Sequence, residues 1–79
     1  MNREQAINAA LVELKKIGVE LKSRVPSQVE ENARLIQGKN SRGWSFVFDL
    51  IVPAEFEEHG MMMVEVYEPS GEVIVYPTI

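Results

Sequence analysis

The sequence predicts an α+β domain, one N-terminal helix packed on a three- to four-stranded antiparallel meander. Three observations carry that prediction. Apolar residues recur at helical spacing between Asn2 and Gly18. Trp44, Phe46, Phe48, Leu50 and Val52 then fall on alternate positions, which places all five on one face of a strand. Finally, Met61 to Tyr67 and Val73 to Tyr76 are strand-like runs separated by Glu68-Pro69-Ser70-Gly71, a sequence suited to a tight turn.

In chain order, the helix is expected over residues 3–17. Asn2 is a good N-cap and Gln5 completes the capping-box spacing. Ile7, Ala10, Leu11, Leu14 and Ile17 line one face, with Glu13 and Lys16 opposite. Lys15 and Lys16 suit the negative end of the helix dipole. Gly18 is placed for a left-handed C′ residue, with Val19 folding back onto Leu14.

Residues 19–37 are open between two readings. Pro26 breaks the chain, and Ser27 with Glu30 has capping-box spacing, so a short helix from Ser27 fits. Val29, Glu31, Ala33 and Leu35 also alternate, and a strand over residues 33–37, pairing through a 38–43 hairpin loop with the strand that begins at Trp44, is the preferred reading. That central strand is expected to start at Gly43 and stop at Pro53. Residues 54–60 read as a loop or a single helical turn with Phe56 tucked against the sheet.

At 79 residues the chain is one domain, spanning 1–79. So short a chain buries only ~60–65% of the surface its unfolded form exposes, so association with itself or another protein is an expected source of stability. There is no cysteine to supply disulfides or a zinc site. No secretory pattern or bilayer-length apolar run occurs, and the expected location is cytoplasmic, without membrane insertion.

Charge is divided along the chain. Through Gly43 there are eight Lys/Arg against five Glu, a net +3; from Trp44 onward there are seven Asp/Glu and no Lys or Arg, a net −7. The division suits either complementary helix and sheet surfaces or an acidic sheet end that meets a basic partner. Nucleic acid is excluded as a ligand, because phosphate binding needs clustered cations.

Catalytic chemistry has little to work with. Asp49 and His59 are the sole residues of their kinds, and nothing sets a serine between them, so no enzyme activity and no catalytic residue is expected. Glu55, Glu57, Glu58 and His59 form an acidic loop more readily than a metal site, and no metal or cofactor is expected.

The sheet's second face is more informative. If Tyr67 pairs with Glu72, then Met62, Val64, Val66, Val73 and Val75 share the inner face. The outer face receives Met61, Met63, Glu65, Tyr67, Ile74 and Tyr76, joined by Val47 and Ile51. Such a face is too apolar to be left in water. Either residues 19–37 fold across it, or it is a contact surface for a protein partner or a second copy. The candidate interaction face is therefore Val47, Ile51, Met61, Met63, Tyr67, Ile74 and Tyr76.

The second half of the chain resembles the gas vesicle protein O family. The resemblance rests on Gly43-Trp44 opening a strand, Pro53 after it, the strand Val64-Glu65-Val66-Tyr67, the Gly71-Glu72 turn, and Tyr76 near the C-terminus. It implies an accessory protein of gas vesicle formation that acts through protein contacts. The pattern is also similar to small PepSY or cystatin-like modules and to some bacterial immunity proteins, which implies a binder or inhibitor of one specific partner.

Overall fold

The computed structural model describes residues 1–35, 42–52, 60–68 and 70–78, with Pro77 and Thr78 described in their backbone alone. Its helix α1 spans Arg3–Ile17, and both of its ends are satisfied as the sequence requires. The Asn2 side chain accepts from the Gln5 N–H at 2.8 Å and the Asn2 N–H donates to the Gln5 side chain at 2.9 Å. At the other end Gly18 adopts φ 79°, its N–H donating to the Leu14 and Lys15 carbonyls. The Val19 N–H also turns back to Leu14. Lys16 bridges to Glu13 at 3.1 Å on the exposed face.

Four strands follow, β1 (Gln28–Arg34), β2 (Arg42–Asp49), β3 (Met61–Tyr67) and β4 (Val73–Thr78), paired antiparallel in the order β1-β2-β3-β4. The expected meander is present with its fourth strand in place. No helix among the described residues is long and apolar enough to cross a membrane.

The core lies between α1 and one face of the sheet. Ala6, Ala10 and Leu14 from the helix meet Trp44, Phe46 and Phe48 from β2, and Met62, Val64 and Val66 from β3. The three aromatic rings run along β2 in contact, Trp44 stacked on Phe46 at 6.0 Å and Phe46 edge-on to Phe48 at 6.1 Å. Small alanines at one-turn spacing let the helix axis approach these bulky rings, and Val73 and Val75 close the same face from β4. The helix's buried stripe is thus Ala6-Ala10-Leu14, with Ile7 and Leu11 half-buried beside it. Ile17, expected in the stripe, is 53% exposed because the last turn runs past the packed core.

Residues 19–35 hold the preferred strand, paired with β2 as expected but with other bounds, and no helix starts at Ser27. The segment ahead of that strand also runs back along β2. Leu21 bridges Leu50, with the Lys22 N–H on the Asp49 carbonyl and the Ile51 N–H on the Glu20 carbonyl, and β1 begins earlier than residue 33. Val19 and Leu21 pack on the inner core. β2 itself starts at Arg42 and ends at Asp49, and Leu50 continues the pairing through that bridge and through its N–H on the Gly60 carbonyl at 2.9 Å. Residues 36–41, residues 53–59 with the expected stop at Pro53 and the expected Phe56 contact, Pro69 and Ile79 lie outside the described residues.

Between Glu30 and Ala33 the register with β2 slips by one residue, a bulge that places Asn32 at φ 50°. Asn tolerates this left-handed region better than most residues. The Arg42 guanidinium donates to the Asn32 carbonyl at 3.1 Å and secures the bend. Because side chains alternate with period two, one extra residue exchanges the faces: Val29 opposes Phe46 on the inner side, whereas Ala33 opposes Gly43 on the outer side.

At the same end of the sheet, where the Glu68 N–H donates to the Arg42 carbonyl at 3.1 Å, the Met1 ammonium meets the Glu68 carboxylate at 2.6 Å, tying the start of α1 to the β3–β4 turn. The ammonium as hydrogen-bond donor is the main reason the Glu68 pKa is lowered, with the nearby Trp44 indole adding to it against some desolvation. The Trp44 Nε1 is buried near that carboxylate without a hydrogen bond of good geometry.

Candidate interaction face

The outer face of the sheet is built by register. Tyr67 donates its N–H to the Glu72 carbonyl at 2.8 Å, which sets the phase of the β3–β4 hairpin. Residues across the sheet then align in rows: Gly43 with Tyr67, Ser45 with Glu65 and Ile74, Val47 with Met63 and Tyr76, and Asp49 with Met61 and Thr78. Antiparallel alternation turns all the odd residues of β2 and β3, and Ile74 and Tyr76 of β4, away from α1.

This face has two unlike halves. Around Tyr67 it is closed: Tyr67, Ala33 and Leu35 form a second buried cluster with Ile74 packed against it. The bulge in β1 turns Ala33 over this end, and Leu35 joins the same cluster. Beyond it the face opens. Val47, Met63, Ile74 and Tyr76 are half-buried, Met61 is 38% exposed and Ile51 is 53% exposed. The seven residues of the candidate face are therefore not equivalent: Tyr67 belongs to a packed cluster, Ile74 sits at the boundary, and the other five border open surface. Residues 19–35 cover one end of the face rather than its whole extent.

Between the halves lies Glu65, 2% exposed and the one buried charged residue among those described. Alternation alone put Glu65 on this face, but its burial was not expected. The available signal was its neighbourhood, with Tyr67 on the same face of β3 and the bulky Ile74 and Tyr76 on β4. The hydroxyls of Tyr67 and Tyr76 are buried without a hydrogen bond of good geometry. Burial, and secondarily the Glu65 carboxylate close by, push the Tyr76 phenol up to about 12, because an anionic ring would be poorly solvated and would face a like charge. The carboxylate is thus near enough to act on Tyr76 electrostatically.

Between α1 and the segment that follows it, an open groove of about 690 Å³ has Leu11, Leu14, Val19 and Leu21 along its length and Lys15 and Arg24 beside them. No group of three or more His, Cys, Asp or Glu side chains placed to hold a metal occurs among the described residues, and Glu55, Glu57, Glu58 and His59 lie outside them. No family model, curated protein or solved structure matches the chain.

Proposed function

We propose that this chain is a non-enzymatic protein-interaction module that works through the open half of its outer sheet face. The observation that carries the reading is the cross-strand row Val47, Met63 and Tyr76, flanked by exposed Met61 and Ile51, on the side of the sheet that α1 does not cover. An apolar surface of this kind is stabilised by contact, and methionine side chains adapt to a partner's shape at small cost. The net −7 of the chain from Trp44 onward favours a partner with basic groups around its own apolar patch. The resemblance to gas vesicle protein O supplies a setting, a cytoplasmic accessory role in gas vesicle formation. An inhibitor of a single protein, in the manner of PepSY, cystatin-like or immunity modules, is the competing setting.

Site-specific photo-crosslinking in the chain's own cells tests the reading. A photoreactive residue replacing Met63 should give a discrete adduct, while the same residue replacing Val12, exposed on α1, should not. Vesicle shell proteins in the Met63 adduct would support the first setting, and a peptidase or toxin the second. Equal labelling from both positions, or none from either, would remove the case for the face.

A further inference from the structure

The two edges of the sheet are chemically unlike. β1 exposes Gln28, Glu30, Glu31 and Arg34 and is bent by the bulge at Asn32, features that discourage another strand from pairing with it. β4, Val-Ile-Val-Tyr-Pro-Thr, carries no charge and no bulge in its register with β3. Among the described residues no strand pairs with its outward side.

The hairpin phase identifies the groups on that side. Because the Tyr67–Glu72 pair is hydrogen-bonded, the pairs Glu65–Ile74 and Met63–Tyr76 are too, and Ile74 and Tyr76 turn their backbone groups toward β3. The alternate residues point outward. The bare edge therefore presents the N–H and C=O of Val73 and Val75 and, at Pro77, a carbonyl with no N–H beside it. Proline at that position ends the run of donors.

We propose that this edge pairs antiparallel with the same edge of a second copy of the chain, about a two-fold axis at Ile74. A two-fold contact requires the patch to complement itself, and Val73-Ile74-Val75 is symmetric about its centre. With the axis there, Val73 opposes Val75 of the second copy and Val75 opposes Val73, and each such pair exchanges both N–H···O bonds. An axis at Val75 would instead set Pro77 opposite Val73 and trap the Val73 carbonyl without a donor. The Ile74 register also places exposed Glu72 opposite uncharged Tyr76, so no like charges face each other. The two open outer faces become continuous across the joined sheets.

Light scattering behind a sizing column tests this on the full chain. At high concentration the mass should be twice 8.9 kDa and fall to 8.9 kDa on dilution. Ile74→Lys and Ile74→Glu put like charges across the axis, so each alone should be monomeric, whereas their mixture should regain the doubled mass as a mixed pair. Should the Ile74 variants lose their fold, Val75→Pro removes an outward N–H without touching the ladder to β3 and should yield a folded monomer. A wild-type monomer at every concentration, or a dimer that survives these substitutions, overturns the proposal. A monomer that still crosslinks to another protein from position 63 would end the edge pairing while leaving the interaction-face reading intact.

Discussion

Leu35 lies over Gly43, its Cδ1 2.9 Å from the point where a Cβ on Gly43 would sit. The Val66 carbonyl oxygen is closer still to that point. The contact joins the residue that follows β1 to the strand that organises the core, and it shows why Gly43 must lack a side chain. Its backbone is squeezed between a neighbouring strand and the side chain that closes the outer face.

Gly43→Ala should therefore destabilise the fold by about 3 kcal/mol or more, since the obstruction includes backbone that cannot rotate away. Gly18 is the useful contrast. A Cβ there meets nothing within 4 Å, but φ is +79°, so Gly18→Ala should cost only the left-handed conformation, ~1–2 kcal/mol. Urea denaturation of both variants checks the order, and an equal or reversed order would refute the close approach at Gly43.

The pairing of Glu68 with the Met1 ammonium predicts an acid sensitivity. The folded pKa of Glu68 is lowered from 4.5, chiefly by the ammonium's hydrogen bond, so its contribution is present above pH 4.5 and is lost as pH falls through the lowered value. Glu68→Gln should flatten stability against pH in that window while changing little at neutral pH, as befits a solvent-accessible pair. Denaturation midpoints for the two proteins across the acid range provide the comparison.

Tyr76 predicts the opposite limb. Its folded pKa is raised from 10.0 to about 12, so the folded state holds its proton more tightly than the unfolded one. That stability is fully present below pH 10 and falls as pH rises toward 12. Tyr76→Phe should lessen the alkaline loss, and ultraviolet difference absorbance of the wild type should contain a late-ionising component, toward 12, that the variant lacks. A Tyr76 contribution that titrates near 10 instead would contradict the buried environment of the phenol.

The helix, the central strand and the terminal hairpin were legible because each depends on local chemistry: a capping box, strict alternation, a turn sequence. The inner core and the membership of the outer face followed from period two once Tyr67 was paired with Glu72. What escaped was non-local. The alternation of Val29, Ala33 and Leu35 looked like one stripe, but the bulge at Asn32 divides it between faces, and a bulge depends on the partner strand's register. The burial of Glu65 likewise required side chains from β4 and could not be read from β3 alone. Ile17 has the right helical phase, yet phase says nothing about where the core ends.

Asn32 gives the sharpest check on that bulge. At φ 50° a β-branched residue is strained, whereas glycine is not, so the two substitutions should differ clearly in their effect on stability. Asn32→Val should lose ~1–2 kcal/mol. Asn32→Gly should stay within a few tenths of a kcal/mol of wild type, its relief of backbone strain offset by the greater entropy of the unfolded chain. The side chain of residue 32 is exposed, so packing is not expected to produce this difference. If the strand ran regularly through residues 28–34, valine would be the better residue on β propensity and the order would reverse. Chemical denaturation separates the two cases, and methyl or amide contacts from Ala33 and Leu35 to Tyr67 in the valine variant would report whether the outer cluster survives. Loss of those contacts along with stability would mean that the bulge delivers Leu35 to the face.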